Sequence, residues 1–469
     1  MKKSIIQKMS LILSDGIALC VSLILAVYVL NILRPGSQEY IDLNKLGLAK
    51  IFGFFILAVF WQQEHYTKRR PTWEEIKLLY LTIFVFAIIH FALTYLLAHH
   101  IVKLVNVAFW FFLLFILPFF RYLTKNVLLI LNFWQRDIYI VGCGKNARDT
   151  YRLLKLNYLL GYKIIGFINI QNKIDIQDIN SFEDNIPVYN YNKLLDSDTS
   201  NEAEVIFALE TQELTENIKQ LDIIQTKFTF VSVVPDVLGI PLYGVELDHF
   251  FGNEQVILRL KNNLSRRINR IIKRSSDIFL SIMGIILLSP LFILFSILIK
   301  LSGNKVFFKH KRIGRNGNYF NCIKFQTMHQ NSQEILKQIL ATDEEARKEW
   351  EKDFKLKNDP RITTIGKFLR TTSLDEIPQL FNVLKGDMSI VGPRPIIDAE
   401  VVKYNNDFYY YKLVRPGITG LWQISGRNDV DYTNRVRLDV WYVKNWSLWY
   451  DFVIIFRTLI VVLSRKGAY

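Results

Sequence analysis

The sequence predicts a multidomain membrane protein with an N-terminal four-helix transmembrane bundle, an α/β middle domain and an α+β C-terminal domain. Of its 469 residues, 51% are hydrophobic, and several apolar runs approach the length of about twenty residues that crosses a bilayer core. The formal net charge is +15, and the basic residues gather beside these runs. From residue 137 onward the chain alternates strand-like and helical patterns instead. A wholly water-soluble protein would be an unusual fit.

Residues 1–131 contain four apolar runs, at 11–33, 46–61, 78–98 and 105–123. We expect four transmembrane helices, of which the second is short. Basic clusters precede the first run and follow the second and fourth, so the positive-inside rule places everything after Arg136 in the cytoplasm. Asp15, inside the first run, is interpreted as an interfacial or helix-packing residue in preference to a proton relay.

Residues 132–262 are predicted to form a Rossmann-like cytoplasmic domain. A strand-like run is followed by Gly142, Gly144 and Ala147, which have the spacing of a dinucleotide-binding turn. The position where an acid would bind the ribose is Asn169, which weakens an NAD interpretation. A non-catalytic or regulatory role is favoured, while nucleotide binding and hydride chemistry stay open.

The composition also excludes some kinds of site. The cysteines and histidines show no metal-type spacing, so no zinc site is expected. The aromatic residues cluster with apolar segments and not with a basic strand face, so no nucleic-acid partner is expected. The positive charge therefore points to lipid headgroups or to a phosphorylated substrate.

The uncharged run 278–299 is long enough to span a membrane. Ser289 and Pro290 interrupt it near its middle, and both flanks are basic, so each end prefers the cytoplasm. We therefore predict a re-entrant helix pair over 276–300, with Ser289 and Pro290 as its structural break; a fifth crossing is the alternative. The preceding basic run, 266–274, is expected to contact anionic lipid. The final apolar run, 451–463, is too short to span and is expected to form an interfacial helix.

Two strands are predicted within 306–328, joined at the turn Asn316-Gly317. Arg312 and Lys324 on this hairpin are candidates to contact phosphate. Solvated cations on a surface hairpin are the alternative interpretation.

The segment 359–395 carries the candidate chemistry. Its apolar residues are spaced three or four apart and predict one face of a helix, while the other face would carry Asp375, Glu376 and Gln379. Ser373 and Glu376 also fit a capping box. Arg370 and Arg394 flank the two acids. A carboxylate pair beside cations is typical of a metal-assisted phosphoryl site, and a surface ion-pair network is equally open.

Five motifs occur in order: KFQTM (324–328), DPRIT (359–363), SLDEIPQLFNVLKGDMSIVGPRP (373–395), RPGITGLWQISGR (415–427) and NWSLWYD (445–451). Together they resemble the bacterial polyprenyl-phosphate hexose-1-phosphate transferases, the bacterial sugar transferases that include undecaprenyl-phosphate galactose and glucose phosphotransferases. The resemblance covers 273–469 and implies that residues 263–469 form a phosphoglycosyl transferase catalytic domain. It also implies that Asp375 is the nucleophile and that Glu376 binds Mg²⁺. Lys324, Arg312, Arg370, Arg394 and Gln379 are the candidate substrate-binding residues.

The same resemblance implies an enzyme that transfers hexose 1-phosphate from a UDP-sugar to undecaprenyl phosphate, releases UMP and passes through a phospho-aspartyl intermediate. Such a reaction would initiate O-antigen, capsule or exopolysaccharide synthesis. Galactose is favoured over glucose, because the full-length architecture and the closing residues 467–469 resemble galactose-specific members more. A non-catalytic scaffold for polysaccharide assembly is the alternative. The protein is expected in the bacterial inner membrane, multi-pass, with its catalytic domain on the cytoplasmic face; a homodimer stays open.

Overall fold

The computed structural model describes residues 2–33, 47–97, 100–170, 186–196, 203–236, 245–249, 256–260, 263–345, 347, 356, 359–426 and 430–463. The closing residues 467–469, used above for the sugar, lie outside these ranges. The chain divides into two compact units, Met1–Leu238 and Gly239–Tyr469. The predicted division into three domains, at 131 and 262, stays a prediction.

The first unit begins with four apolar helices, as predicted: α1 (Lys2–Ile32), α2 (Gly47–Gln62), α3 (Thr72–Leu97) and α4 (His100–Ile130). Three of them are long and apolar enough to cross a membrane, over Lys3–Ile32, Thr72–Tyr95 and Lys103–Ile130. The apolar part of α2, Ala49–Gln62, is shorter. These features identify a membrane protein.

A buried group of charged side chains holds the bundle together. The Arg121 guanidinium donates to both carboxylate oxygens of Asp15, at 2.8 and 2.5 Å, and to Glu75 Oε1 at 3.1 Å. Lys125 also pairs with Glu75, and the Tyr66 hydroxyl donates to Asp15 at 2.9 Å. The side chains of Arg121 and Asp15 are 3% and 0% exposed. Asp15 is therefore a helix-packing residue, which agrees with the sequence interpretation.

After the bundle, the first unit contains a five-stranded sheet in which all strands are parallel and the order is β3-β2-β1-β4-β5. Its strands are β1 (Arg136–Val141), β2 (Tyr162–Asn169), β3 (Val188–Asn190), β4 (Glu204–Phe207) and β5 (Phe230–Val233), and its helices are α5 (Lys145–Leu156), α6 (Tyr191–Asp196), α7 (Thr211–Glu216) and α8 (Ile218–Lys227). Strands β1 and β4 are buried along most of their length, as expected for parallel strands covered on both faces.

The loop between α2 and α3 ties the bundle to this sheet. Arg69 donates hydrogen bonds to the backbone oxygens of Gly161 and Trp134, both at 2.8 Å, and also to that of Leu160. Its guanidinium also lies over the Trp134 ring, 4.9 Å from the centroid. Gly161 has φ +67° and a side chain there would collide with Trp134, so only glycine fits.

The second unit is organised around α9 (Arg267–Leu301). This element corrects the expected helix pair, because it is one uninterrupted helix with Pro290 inside it. The Ser289 hydroxyl donates to the Ile286 carbonyl at 2.8 Å, which is the oxygen that a proline at 290 leaves unpaired. By length and hydropathy α9 could also cross a membrane.

Both ends of α9 pack on the second unit. Near its start, Arg274 donates to the Val383 and Leu384 carbonyls, at 2.6 and 2.8 Å, and Asp277 accepts from the Ser389 hydroxyl at 2.9 Å. Near its end, Phe295 contacts the Phe325 ring, with centroids 6.2 Å apart. Lys273 is likewise engaged inside the protein, where it donates to Asp451 at 2.7 Å. The expectation that the whole basic run 266–274 contacts lipid is therefore wrong for Lys273 and Arg274.

The remaining elements surround α9. They are the strands β6 (Glu246–His249), β7 (Val256–Arg259), β8 (Phe307–Ile313), β9 (Tyr319–Phe325), β10 (Ser389–Val391) and β11 (Gly417–Thr419), and the helices α10 (Ser332–Thr342), α11 (Thr364–Thr371), α12 (Gln379–Lys385), α13 (Asp398–Tyr404), α14 (Phe408–Leu413), α15 (Leu421–Ile424), α16 (Tyr432–Lys444) and α17 (Leu448–Leu463). Strands β8 and β9 form the predicted antiparallel hairpin. Its turn contains Asn316 and Gly317 at φ +60° and +80°, which confirms the Asn-Gly signal.

Replacing Arg121 by methionine should destabilise the bundle, because Asp15 and Glu75 would be left as buried charges without their main partner. We expect a loss of about 3–5 kcal/mol, seen as a lower melting temperature of the detergent-solubilised chain. Lys77→Met, which removes a half-exposed pair with Glu74, is the matched control and should cost less than about 1 kcal/mol. Equal melting temperatures for the two variants would contradict this account.

Candidate active site

The backbone at the acid pair differs from the predicted continuous helix. Helix α11 ends at Thr371, Ser373 adopts a left-handed conformation with φ +58°, and Leu374–Glu376 form a single 3₁₀ turn. Pro378 directly precedes α12, where the backbone N–H that proline lacks would have no partner within the helix. Ser373 makes no side-chain cap, so the predicted capping box is wrong.

The apolar residues of this segment form one buried face, as the sequence indicated, and that face packs on α9. Phe381 contacts Phe292 of α9, with ring centroids 5.4 Å apart. Leu380 lies against Gly284, where an added Cβ would come within 3.2 Å of it. Ile377 joins the buried cluster that contains Phe295. Helix α9 therefore fixes the position of the turn that carries the two acids.

Glu376 is paired with Lys324 of β9, whose Nζ donates to its Oε1 at 2.6 Å. Burial opposes the charge of this carboxylate, but Lys324 and then Arg394 outweigh that effect. They hold the pKa of Glu376 below its ordinary value, so it is ionised at neutral pH.

Asp375 behaves differently from its neighbour. Burial, and then the negative charge of Glu376, raise the pKa of Asp375 to about 6, while Lys324 and Arg370 offset part of the effect. The site therefore holds one firmly ionised acid beside one that gains its charge near neutral pH. Such a separation of two adjacent carboxylates is typical of acids with different roles in one site.

Both acids line a cavity of about 710 Å³. Five cations line it with them: Arg312, Lys324, Arg361, Arg370 and Arg394. Another part of its wall is apolar and includes Leu288 of α9, Ile418, and Val461 and Val462 of α17. The cavity thus combines an ionic centre with an apolar side to which α9 contributes.

The cations are held in different ways. Arg361 is neutralised by Asp359, to which it donates at 2.8 and 2.6 Å. Arg370 Nε donates to the Thr327 hydroxyl at 2.9 Å, which orients its guanidinium. Arg312 donates to the Pro395 carbonyl at 3.2 Å. Within the described chain, Arg370 and Arg394 have no carboxylate within 4.0 Å, so both keep their charge for a ligand.

The cavity brings together six of the seven acids, cations and amides predicted for the site. Gln379 is the exception: it is 3% exposed and lies behind Glu376, in a small second cavity that both residues line. The sequence analysis placed Gln379 on the polar face of one helix that also carried the two acids. Because the backbone breaks at Ser373, the side chain of Gln379 is buried instead.

Several lining residues were not identified from sequence as functional. Thr327 follows the KFQ triplet, and no local pattern announces that its hydroxyl would orient Arg370. Trp422 lies between Arg394 and Arg435, with centroid distances of 5.9 and 4.7 Å. The sequence feature that could have identified Trp422 is the glycine-rich motif 415–427, in which it lies.

The glycines of that motif turn out to be structural. A Cβ on Gly417 would come within 2.1 Å of the Gly392 amide nitrogen, and one on Gly420 within 2.4 Å of the Gly392 carbonyl oxygen. The close backbone approach that glycine permits is therefore between chain segments. Glycines in such a loop either let the backbone approach a ligand or form a structural turn cluster, and these contacts are those of a turn cluster.

Comparison with known proteins agrees with this site. Residues 268–465 match the family described as bacterial sugar transferase. An undecaprenyl-phosphate galactose phosphotransferase from Salmonella typhimurium is 44% identical over 92% of this chain and 91% of its own length. The chain belongs to the bacterial sugar transferase family.

Two other members of the bacterial sugar transferase family match over nearly their entire length. A UDP-galactose-lipid carrier transferase from Erwinia amylovora is 39% identical over 100% of this chain and 98% of its own. An uncharacterized sugar transferase from Haemophilus influenzae is 41% identical over 100% of both chains. The family predicted from the five motifs is thereby confirmed, and the matched range agrees with the predicted 273–469.

The raised pKa of Asp375 predicts a pH-dependent cost in stability. Its folded-state pKa of about 6 exceeds the ordinary value of 3.8, so the folded protein binds this proton more tightly and loses stability as pH rises between the two values. Asp375→Asn should therefore raise the melting temperature at pH 8 and progressively less as pH falls toward 4. Glu334→Gln, which replaces an exposed acid of α10, is the control and should not raise the melting temperature at pH 8. A gain from Asp375→Asn that is largest at pH 4 would contradict the environment described here.

Proposed function

We propose that this protein is a phosphoglycosyl transferase that moves hexose 1-phosphate from a UDP-hexose to undecaprenyl phosphate and releases UMP. The proposal rests on the cavity in which two unequal acids and the unpaired Arg370 and Arg394 meet an apolar wall formed by Leu288 of α9 together with Ile418, Val461 and Val462. An anionic diphosphate fits the ionic centre, and a lipid phosphate with its hydrocarbon tail fits the apolar side. The product would start an O-antigen, capsule or exopolysaccharide chain.

In the proposed reaction, the ionised Asp375 carboxylate attacks the phosphorus that bears the sugar. A carboxyl–phosphate bond forms, the bond to the bridging oxygen breaks, and UMP leaves with that oxygen. An oxygen of the lipid phosphate then attacks the same phosphorus and restores the carboxylate. Arg370 and Arg394 neutralise the charge on the phosphoryl oxygens, and Lys324 holds Glu376 in place.

Mg²⁺ fits the residues present. It commonly binds through one or two carboxylates together with substrate phosphates, and Glu376 and Asp375 offer oxygen donors facing the cavity. In the described ranges no three or more histidine, cysteine or acidic side chains gather as a metal cluster, so a substrate would complete the coordination. We propose Glu376 as the main ligand. The bound ion would supply charge neutralisation of the diphosphate.

Galactose is the proposed sugar, with glucose as the alternative. The Salmonella typhimurium and Erwinia amylovora relatives carry galactose in their names and match over more than nine-tenths of their length. Galactose and glucose differ in the configuration of one hydroxyl, so the choice depends on contacts that a bound substrate would make.

We propose that α9 is re-entrant, with the catalytic unit on the cytoplasmic face of the inner membrane. Lys273 and Asp277 near one end, and Phe295 and Ile299 near the other, all pack on the same compact unit. A helix crossing the bilayer would carry its two ends to opposite sides and could not keep both sets of contacts. Ser289 and Pro290 lie between the two sets, where the backbone ladder is weakest.

The sheet of the first unit is proposed to be a Rossmann-like module without a catalytic role. Its strand order, β3-β2-β1-β4-β5, is that of the doubly wound sheet without the sixth strand. At the turn before α5, where a pyrophosphate would bind, the Glu210 carboxylate accepts a hydrogen bond from the backbone N–H of Asn146 at 3.1 Å. The chain's own acid thus takes the place of a phosphate, which disfavours a dinucleotide and a membrane-bound oxidoreductase.

Asp375→Asn should abolish sugar-phosphate transfer, by more than about 10³-fold, because the amide is a poor nucleophile. The measurement uses the purified full chain with Mg²⁺, undecaprenyl phosphate and β-³²P-labelled UDP-galactose or UDP-glucose. Without lipid acceptor, the parental chain should itself become labelled, release UMP, and lose the label to hydroxylamine. Glu334→Gln serves as the control and should transfer at the parental rate.

Transfer by the Asp375→Asn variant at the parental rate would reject the proposed nucleophile. Intersecting initial-rate lines, in place of the parallel lines of a ping-pong reaction, would count against a covalent intermediate. Normal polysaccharide production by cells that carry only Asp375→Asn would favour the scaffold alternative.

Single cysteines at positions 267 and 305, which are exposed and flank α9, should be modified from the same side of the membrane. The background for this test replaces Cys20, Cys143 and Cys322, and a cysteine at exposed Glu344 reports the side of the catalytic unit. An impermeant maleimide should label all three positions in inverted vesicles and none in right-side-out vesicles. Labelling of 267 and 305 from opposite sides would establish a fifth crossing.

A further inference from the structure

A third cavity, distinct from the small one beside Gln379, lies in the catalytic unit and shares no lining residue with the active-site cavity. It has a volume of about 50 Å³, and the charged residues that line it come from three separate segments. These are the start of α9, with Arg270, Lys273 and Asp277, the tip of the β8–β9 hairpin, with Arg315, and the residues before β11, with Arg415.

The charges around this cavity are unbalanced. Lys273 is neutralised, because its Nζ lies 2.7 Å from Asp451 and 3.6 Å from Asp277. In the described residues, no carboxylate lies within 4.0 Å of the guanidinium nitrogens of Arg270, Arg315 or Arg415. Arg415 Nε donates a hydrogen bond to the Gly386 carbonyl, at 2.7 Å. Burial and then its neighbours Arg274 and Arg315 lower the pKa of Arg415, as expected for crowded cations.

Two buried polar atoms here have no hydrogen-bond partner within the described chain: Arg315 Nε and Asp277 Oδ2. Buried donors and acceptors are nearly always paired in folded proteins, so an unpaired donor and an unpaired acceptor beside one cavity indicate that the cavity takes a polar occupant. The ligand must accept hydrogen bonds from arginines and also offer a donor to a carboxylate. A phosphate diester that carries a hydroxyl or an ammonium group meets both requirements.

The size and position of the cavity restrict which ligand can bind there. A water molecule needs ~10–15 Å³ by the same kind of measure, so 50 Å³ holds a phosphate group but neither a hexose nor a nucleoside. Arg270 and Lys273 lie in the first turns of α9, just before its uncharged stretch begins at Ile278. Ile268, Ile271 and Ile272 on the same turns are 70%, 57% and 41% exposed, as suits a helix end at the depth of lipid headgroups.

We propose that Arg270, Arg315 and Arg415 bind the phosphate of a phospholipid headgroup at the start of α9. The bound headgroup joins the helix to the hairpin tip and to the segment before β11, and so fixes how deep the catalytic unit lies in the membrane. This site is independent of the proposed reaction, and binding can be measured without turnover.

The test uses the purified full chain in a neutral detergent. Dioleoyl phosphatidylglycerol, dioleoyl phosphatidylcholine or inorganic phosphate is added, and the melting temperature and the number of bound lipids by native mass spectrometry are recorded. Phosphatidylglycerol, whose headgroup has both phosphate and hydroxyls, should stabilise the parental chain. Arg270→Gln and Arg315→Gln should each weaken its binding about tenfold, as expected for loss of a charge-assisted hydrogen bond.

Arg267→Gln is the matched control. It removes an exposed cation three residues from Arg270 on the same helix end, but Arg267 does not line the cavity. It should bind phosphatidylglycerol like the parental chain. Because Arg270 is exposed at the rim, its variant can be assayed even if Arg315→Gln fails to fold.

Equal weakening by Arg267→Gln and Arg270→Gln would overturn the proposal in favour of diffuse surface attraction. Unchanged binding in the Arg270 and Arg315 variants would also overturn it. Stabilisation by inorganic phosphate alone, lost in both variants, would reject the lipid and identify a soluble phosphate as the ligand.

Discussion

The repulsion between two neighbouring carboxylates at the bottom of a cavity is the constraint on which the catalytic unit depends. Asp375 and Glu376 cannot both be ionised there unless cations come close, and those cations arrive from distant parts of the chain. Lys324 comes from the hairpin, Arg370 from α11 and Arg394 from the loop after β10. Only Glu376 receives a direct ion pair, so the compensation is unequal. This inequality gives the two acids different protonation behaviour in the same site.

Helix α9 supports the turn that carries the two acids and also has an exposed apolar face. Its inward side chains form polar contacts near its start and aromatic contacts near its end, and the acid-bearing turn rests between them. Its outward side chains are apolar and exposed over most of its length. If α9 enters the bilayer as proposed, the same helix supports the ionic centre and contacts lipid, and its packing then sets the distance between the carboxylates and the bilayer.

The sequence predicted what depends on local pattern and missed what depends on remote partners. The four apolar helices and the Asn316-Gly317 turn both follow from residues within a few positions of each other. The break at Ser373 was missed, because the apolar spacing continues across it while the backbone does not. Arg274 was assigned to lipid for a similar reason: in sequence it belongs to a basic run, but it caps the last carbonyls of α12, more than one hundred positions away. Gln379 was misplaced once the helix was assumed to be continuous.

The first turns of α9 show how one basic run can have two functions. Lys273 and Arg274 contact the protein, while Arg267, seven residues before Arg274 and therefore on nearly the same face of the helix, is exposed because it lies about two turns closer to the helix start. The inward pair is fully engaged by Asp451 and by the carbonyls of α12, and it therefore cannot respond to the membrane. Arg270 lies between the two groups, at the rim of the cavity that also contains Arg315 and Arg415. If the proposed headgroup binds there, Arg270 is the position where membrane composition acts on the placement of the catalytic unit.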